Sequence, residues 1–288
     1  MMAPTRRPIG RRAALLGAGA ALGAPALNAA TPVTMGLTPV FLDSDIRLLA
    51  QIETYLARRL ERPVQLVQRR TYQEITALLL AGALDTAWIC GLPFVRHRER
   101  LRLTGVPVYR GSPTYRAYLI ARAGAPATGI DELAGQVHAF SDPDSNSGFL
   151  VTRALLARQG RTPESFFSKT FFTYGHRNVI RAVASGLANS GSVDGYVWDV
   201  LAEVDPTLTG ATRVVRRSEP LGFPPFAAPA QPRDAGVIRA FQAALASMAD
   251  AEDGRAILAT LRLDRFVDAP PSLFDGIAEL LREAERVG

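Results

Sequence analysis

The sequence has few of the residues on which metal binding and covalent chemistry depend. Cys90 is the only cysteine, Lys169 is the only lysine, and the three histidines, His97, His138 and His176, lie far apart. A single cysteine cannot form an intramolecular disulfide, and no Cys-x-x-Cys or His-x-x-x-His pair is present to build a zinc site. The lysine does not belong to a Gly-Lys-Ser/Thr phosphate loop. The sequence therefore predicts neither a metal nor a cofactor.

Basic side chains are also scarce once the amino terminus is set aside. The chain of 288 residues is 48% hydrophobic and has a formal charge of +6. Four arginines, Arg6, Arg7, Arg11 and Arg12, precede the apolar stretch 13–27 and account for most of this charge. The remainder is close to neutral and has no dense basic patch that would neutralise a run of phosphates. Binding to nucleic acid is therefore not predicted.

Long apolar runs are absent beyond the amino terminus. Basic residues, an apolar run and small residues follow one another within 1–30, which is the pattern of a secretory signal. Arg11 and Arg12 resemble a twin-arginine export signal, and 24–26 (Ala-Pro-Ala) is one plausible cleavage site. We predict that 1–30 is an export signal and that the protein is periplasmic. An uncleaved membrane anchor is the alternative, although the run is short for a span of about 20 residues.

Segments with strand and helix patterns alternate beyond residue 30. The hydrophobic periodicity predicts, in order, strand 33–39, helix 44–60, strand 63–68, helix 72–81 and strand 85–90. Ser44 is the expected N-cap of the first helix. This order is typical of an α/β lobe with parallel strands.

A second alternation follows. It predicts, in order, strand 114–122, strand 136–140, helix 149–159, helix 176–187, a strand passing into a helix at 191–201, and helices at 234–248, 252–260 and 272–286. The proline-rich stretch 220–232 predicts extended, turn-rich chain. We expect a second α/β lobe, after which the chain returns to the first.

The predicted limits of the two lobes follow from the expected return of the chain to the first lobe. We predict that lobe 1 consists of 31–110 and 215–288 and that lobe 2 consists of 111–214. The two crossings between the lobes are expected near 108–114 and 205–220. The predicted fold class is therefore α/β with two lobes.

The segment SDPDSNSGFL, residues 141–150, places three polar side chains and a glycine where a helix is expected to begin. The first N–H groups of a helix have no internal partner, and the helix dipole adds positive potential there. Ser145, Asn146 and Ser147 add uncharged donors, and Gly148 leaves the backbone open, so the turn has the features of an anion site. Plain N-capping is the other interpretation.

Four segments, 71–95, 115–122, 130–156 and 174–201, resemble in sequence and order the phosphonate-binding (PhnD-like) family of periplasmic substrate-binding proteins. The resemblance runs from about Met35 to Pro225. Its most specific part is the D-P-x-S-x-S-G loop, here Asp142, Pro143, Ser145, Ser147 and Gly148, with Asn146 where relatives commonly have threonine. The resemblance implies the type II periplasmic-binding-protein fold, with a ligand cleft between two lobes that close over a small oxyanion. It also implies delivery to the permease of an ABC importer.

The residues themselves and the resemblance together give a set of candidate ligand-binding residues. They are Tyr72, Cys90, Phe94, Ser145, Asn146, Ser147, His176 and Asp194. Tyr72 is expected to donate its hydroxyl to the anion unless it is an ordinary surface residue. Phe94 stands where relatives often have tyrosine, so one polar contact of the family is expected to be missing.

Two of these residues have alternative interpretations that the sequence leaves open. His176 either donates to the oxyanion, with a charge sensitive to pH near neutrality, or caps a helix. Asp194 either accepts from a protonated oxygen or amino group of the ligand or is solvated at the end of a strand.

Cys90 supports a second hypothesis about function. A lone cysteine is usually a small hydrophobic residue, but the end of a strand is where ligands bind in open α/β sheets. An arsenite-sensing branch of the family is similar and holds the metalloid with a cysteine. The alternative is therefore an oxyanion sensor component of the arsenite type that partners a histidine kinase.

An enzyme is not predicted. Ser147 lies in no G-x-S-x-G elbow, and no Ser-His-Asp order is present. The expected partners are a small oxyanion and either an ABC permease or a sensor kinase. Contact with the membrane is expected only through that partner or an uncleaved signal.

Overall fold

The structure is a computed structural model that describes Met1, residues 31–39 and residues 46–287. The chain from Thr31 onward forms one compact unit. The export signal predicted at 1–30 lies, apart from Met1, outside the described residues, as does the predicted N-cap Ser44. Among the described helices, none has both the length and the apolar character needed to cross a membrane.

The strands, in chain order, are β1 (Val33–Leu37), β2 (Val64–Gln68), β3 (Thr86–Trp88), β4 (Leu101–Val108), β5 (Thr114–Tyr115), β6 (Ala117–Arg122), β7 (Val137–Phe140), β8 (Lys169–Phe172), β9 (Ser190–Asp194), β10 (Thr212–Arg217), β11 (Leu221–Gly222), β12 (Phe226–Pro229) and β13 (Arg265–Val267). The α-helices are α1 (Ile46–Leu60), α2 (Tyr72–Leu80), α3 (Gly91–Arg96), α4 (Val151–Ala157), α5 (Pro163–Phe166), α6 (His176–Ala184), α7 (Gly195–Val204), α8 (Pro206–Gly210), α9 (Ala235–Ala246), α10 (Glu252–Leu261) and α11 (Asp275–Glu285).

Two larger sheets organise these elements. The first has the order β13-β4-β12-β3-β1-β2, and the second has the order β10-β6-β9-β7-β8. In the first sheet β1 runs parallel to β2 and β3, while β12 is antiparallel to β3 and β4. In the second sheet β7 runs parallel to β8 and β9, and β6 is antiparallel to β9 and β10. The chain leaves the first sheet after β4 and returns to it after β10.

The two connections between the sheets pair with each other. Strand β5 lies in the first connection and β11 in the second, and they form a separate antiparallel pair. Leu221 lies opposite Tyr115, and Gly222 lies opposite Thr114. The crossings between the sheets are therefore joined by backbone hydrogen bonds.

The periodic helices agree with their predictions to within a few residues. The helix predicted at 44–60 is α1 in its described part, and the helix predicted at 234–248 is α9. The strand predicted at 114–122 is divided at Arg116 into β5 and β6. The helix predicted at 149–159 begins earlier, because a π-helical turn, Asn146–Leu150, leads into α4.

The sequence did not predict several strands of the first sheet. Strand β4 contains Gly105 and Pro107, and β12 ends at Pro229 in the proline-rich stretch. Gly105 allows α9 to pack closely on the sheet, because a Cβ there would lie 2.7 Å from the side chain of Leu245. The extended chain predicted for 220–232 therefore includes an interior strand of the sheet.

Polar residues follow the carboxyl ends of the parallel strands in both sheets. Tyr72 comes four residues after β2, and Cys90 comes two residues after β3. The loop with Ser145 follows β7, His176 opens the helix after β8, and Asp194 ends β9. In open α/β sheets this is the edge at which ligands bind.

Candidate functional site

A group of polar side chains lies buried between the elements of the two sheets, and we call it the polar cluster. No member is more than 4% exposed. Its members are Tyr72, Cys90, Tyr115, Ser141, Asp142, Ser145, Asn146, Ser147, His176 and Asp194. None of them is basic at neutral pH, because burial lowers the pKa of His176 to about 3. The cluster therefore contains five hydroxyl groups, one side-chain amide and two carboxyl groups, but no positive charge.

Tyr72 connects the two halves of the cluster. It is the first residue of α2, whose start is fixed by a capping box between Thr71 and Glu74. Its backbone N–H donates to Asp142 Oδ2 at 3.2 Å, and Asp142 Oδ1 accepts from the backbone N–H of Asp144 at 2.8 Å. Burial raises the pKa of Asp142, and these two donors oppose that shift. The carboxylate of Asp142, in the loop that follows β7 of the second sheet, is thus hydrogen-bonded to the start of α2, the helix that follows β2 of the first sheet.

The polar side chains of the loop after β7 are of two kinds: one caps the turn, and others have no hydrogen-bond partner among the described residues. Ser145 Oγ accepts the N–H of Gly148 at 3.0 Å and so acts as a cap, as the plainer interpretation of the sequence proposed. Three buried oxygens have no hydrogen-bond partner among the described residues. They are Ser141 Oγ, Asn146 Oδ1 and Ser147 Oγ. Since buried polar atoms are nearly always paired, these three oxygens are the candidates for contact with a polar ligand.

Asn146 connects the loop to two residues outside it. Its backbone N–H donates to Cys90 Sγ at 3.2 Å, and its side-chain amide donates to Tyr115 Oη at 2.8 Å. The turn therefore has fewer free N–H groups than a bare helix start, because those of Asn146 and Gly148 are both engaged.

Gly148 is required by the packing of this loop. A Cβ at this position would lie 1.8 Å from Ser141 Oγ and 3.0 Å from His176 Cε1. Any other residue would displace two members of the polar cluster. The glycine lies within the π-helical turn Asn146–Leu150, and single π-turns occur frequently at functional sites.

His176 uses both ring nitrogens within the protein. Nδ1 accepts the backbone N–H of Asp194 at 3.0 Å, and Nε2 lies 3.3 Å from Tyr72 Oη. With a pKa of about 3, set by burial, the ring is neutral throughout the physiological range. The expectation of a charge that is sensitive to pH near neutrality is wrong, because the ring is desolvated and has no acidic hydrogen-bond partner.

Asp194 caps α7 with one oxygen. Its Oδ1 accepts the N–H groups of Tyr196 at 2.9 Å and Val197 at 3.3 Å. Burial raises the pKa of this carboxyl to about 7, and the two N–H donors oppose the shift. The residue is 1% exposed, so it is not a solvated side chain at the end of a strand.

Tyr115 was not identified from the sequence. It enters the cluster from β5, in the first connection between the two sheets, and burial raises the pKa of its phenol well above the ordinary value. Ser147 and Asn146 oppose that shift, although Ser147 Oγ is not in hydrogen-bonding geometry with a described residue. The sequence signal available was its position directly after the predicted crossing at 108–114.

Two residues considered in the sequence lie outside the polar cluster. Phe94 packs its ring on Phe274, with centroids 4.9 Å apart, in the core of the first sheet. His138 is bonded by its two ring nitrogens to Ser190 and Ser192 at 2.8 and 2.9 Å. No group of three or more His, Cys, Asp or Glu side chains among the described residues is arranged to hold a metal ion.

A cleft of about 630 Å³ is lined by residues near Tyr72 and His176 in the chain, among them Arg69 and Arg70 and also Thr173 and Tyr174. Elements of both sheets therefore form its walls.

Two α/β sheets joined by paired crossings, with a buried polar cluster between their strand ends, define a two-lobed α/β binding protein. The model of one family, described as "ABC transporter, phosphonate, periplasmic substrate-binding protein", matches residues 35–274. The chain belongs to this family, as the resemblance in the sequence predicted.

Individual relatives agree with this assignment. The "Phosphate-import protein PhnD" of Mycolicibacterium smegmatis is 25% identical over 210 residues, which are 68% of this chain and 65% of that protein. The chain thus matches slightly less than two thirds of that relative's length.

Solved structures confirm the fold. A binding protein component of an ABC phosphonate transporter from Pseudomonas aeruginosa has a TM-score of 0.81 at 16% identity, over 89% of this chain and 87% of that one. PhnD1 from Prochlorococcus marinus, solved with methylphosphonate, has a TM-score of 0.78 at 17% identity, over 88% and 98%. The two-lobed periplasmic-binding fold predicted from the sequence is therefore confirmed.

Proposed function

We propose that this protein captures a small phosphonate, phosphite or phosphate anion between its lobes and delivers it to the permease of an ABC importer. Ser147 Oγ is the observation that carries the proposal, since it is 1% exposed and has no partner among the described residues. A buried hydroxyl left unpaired is costly, and an anionic oxygen would satisfy it. Tyr72 and Tyr115 place two further hydroxyl groups in the same cluster.

The absence of a basic side chain from the polar cluster fits a transport role. Neutral donors bind an anion by hydrogen bonds, without the attraction of a buried ion pair. The pKa of about 7 for Asp194 leaves this carboxyl partly protonated at neutral pH, so that it can share a proton with the anion. An importer must release its ligand, and moderate binding of this kind permits release.

Lobe closure is the proposed mode of capture. We assign lobe 1 to the first sheet and lobe 2 to the second, with hinge crossings that contain β5 and β11. The bonds from Tyr72 to Asp142 and from Asn146 to Cys90 join the lobes beside the proposed anion site. An ion pair between Arg96 and Asp144 adds a contact at the rim. We expect these contacts to form when the lobes close and to break when they open.

Export completes the proposal. The family consists of periplasmic proteins. For this chain we propose that residues 1–30 direct export by the twin-arginine route and are then removed.

The alternative, an arsenite-type sensor that uses Cys90, receives no support from the environment of this cysteine. Burial raises the pKa of the thiol to about 12, whereas the thiolate is the form that binds metals. The sulfur also accepts the N–H of Asn146.

A thermal-shift panel on the chain from Thr31 onward tests the proposal. Methylphosphonate, phosphite and phosphate are expected to raise the melting temperature, whereas arsenite and a sulfonate serve as comparisons. A ligand at 100 times its Kd adds about 2.7 kcal/mol, which corresponds to roughly 5–10 °C for a domain of this size. If no oxyanion raises the melting temperature of the folded protein, the proposal is wrong. If arsenite alone raises it, and Cys90→Ser abolishes the effect, the sensor hypothesis replaces it.

A further inference from the structure

The cleft of about 630 Å³ lies where strands of both sheets end. One wall consists of residues at the ends of β1 and β2 and in the first turn of α2, and the other consists of residues after β8 and in α6. Its lining includes the polar residues Arg69, Arg70, Glu74, Thr173, Tyr174 and Asn178.

Both walls are close to the polar cluster along the chain. Arg70 precedes Tyr72 by two residues, which separates their Cα atoms by at most roughly 7 Å. On the other wall, the backbone N–H of Tyr174 donates to the carbonyl of Ser141, a member of the cluster, at 2.6 Å. The step from the cluster to the cleft is therefore within the combined reach of a short ligand substituent and a long arginine side chain.

The first wall has an excess of positive charge. Arg69 and Arg70 are exposed, and neither has an acidic ion-pair partner among the described residues. The carboxylate of Glu74 is engaged by its capping box, since it accepts the backbone N–H of Thr71 at 3.1 Å and the Thr71 hydroxyl at 2.9 Å. Two guanidinium groups therefore face solvent in the cleft with one engaged carboxylate nearby.

Tyr174 adds a neutral donor on the second wall. Its φ of 54° lies in the left-handed region, which is uncommon for a residue other than glycine, and such backbone conformations cluster at ligand sites. The residue is 43% exposed, and its hydroxyl has no hydrogen bond to a described residue. The neighbouring amide of Asn178, by contrast, is engaged, because it donates to the Thr173 carbonyl at 3.1 Å.

We propose that the cleft is a second subsite, which binds a negatively charged substituent of the captured anion through Arg69, Arg70 and Tyr174. These three side chains offer N–H and O–H donors, and a guanidinium group binds a carboxylate through both charge and hydrogen bonds. The subsite rests on the proposed function, and the ligand class that it selects is a phosphonate with a short acidic substituent. A cationic aminoalkyl substituent would be repelled by the two arginines.

Ligands that differ in the charge of the substituent test this subsite on the chain from Thr31 onward. 3-Phosphonopropionate and propylphosphonate have the same head group and similar length, but only the first carries a carboxylate. By calorimetry we expect 3-phosphonopropionate to bind about fivefold or more tightly than propylphosphonate. 2-Aminoethylphosphonate should bind more weakly than propylphosphonate.

The ratio of the two affinities within each variant isolates the substituent, because a change at the head group affects both ligands alike. In the double variant Arg69→Gln/Arg70→Gln the ratio should fall close to one, and Tyr174→Phe should lower it about twofold. Arg239→Gln is the matched control. It removes the same charge from an exposed position of α9, outside the cleft, and should leave the ratio unchanged.

A ratio close to one in the unsubstituted protein, or a high ratio that persists in the double variant, would overturn the subsite. So would tighter binding of 2-aminoethylphosphonate than of propylphosphonate, or failure of 3-phosphonopropionate to bind a protein that binds methylphosphonate. If methylphosphonate, phosphite and phosphate all fail to bind, the proposed function itself is wrong. The two failures are therefore distinguishable.

Discussion

Replacing Ser147 by alanine is expected to weaken the binding of methylphosphonate, phosphite or phosphate by about tenfold to a hundredfold. The hydroxyl is buried, has no partner among the described residues and lies in the polar cluster. A lost hydrogen bond to a charged acceptor costs roughly 1–3 kcal/mol, and each 1.4 kcal/mol is about a factor of ten. Calorimetric titration of both proteins with the same anion measures the change.

Ser145→Ala is the matched control for this prediction. Ser145 Oγ accepts the N–H of Gly148 and caps the turn, so its removal should lower the free energy of unfolding by about 0.5–2 kcal/mol. Its effect on affinity should be smaller than that of Ser147→Ala. Equal losses of affinity, or an unchanged affinity in Ser147→Ala, would show that the hydroxyl of Ser147 is not a ligand group.

Replacing Gly148 by alanine is expected to produce the largest loss of stability among single substitutions in the loop. The new methyl group would lie 1.8 Å from Ser141 Oγ and 2.7 Å from Ser141 Cβ, so the backbone must move. Overpacking of this kind costs about 1–3 kcal/mol and sometimes more. Because Ser141 and His176 would be displaced, binding of the oxyanion should be impaired as well. Urea unfolding gives the change in stability.

Gly124→Ala provides the comparison, since nothing lies within 4 Å of a Cβ at Gly124. Its free energy of unfolding should stay close to that of the unsubstituted protein. If Gly148→Ala is as stable as Gly124→Ala and binds the anion normally, the close approach of Ser141 to Gly148 does not constrain the loop.

The fold could be predicted from the sequence wherever periodicity was strong. Helices such as α1 and α9 have apolar residues at helical spacing, so their existence and approximate limits were visible locally. Strands β4 and β12 were not visible. They contain glycine or proline, and their place in the sheet depends on pairing between residues far apart, such as Ala228 and Arg102.

The site could be predicted in part, because the resemblance to the family indicated Tyr72 and His176. These two residues and Asp194 do lie together in the structure. Tyr115 lies in β5, in the first connection between the sheets, and its contact with Asn146 depends on how the two sheets come together. Phe94 shows the opposite case. Its motif position indicated the site, but its apolar neighbours Leu92 and Val95 indicate the core in which it lies.

The serine-rich loop gives its two serines different environments, and the capping interpretation holds for Ser145. Ser145 is a cap, whereas Ser147, two residues later, has a buried hydroxyl without a partner among the described residues. Sequence alone could not assign these roles, because both serines precede the same helix. The π-helical turn assigns the capping role to Ser145, because it directs the Gly148 N–H to the Ser145 hydroxyl.

A crystal structure of the chain from Thr31 onward, grown with saturating methylphosphonate, tests the central claim most directly. The account predicts the anion between the lobes, with oxygens within hydrogen-bond distance of Ser147 Oγ and Tyr72 Oη and with His176 Nδ1 still bonded to the N–H of Asp194. An anion bound elsewhere on the protein, or a closed cluster in which Ser147 faces only protein atoms, would contradict it.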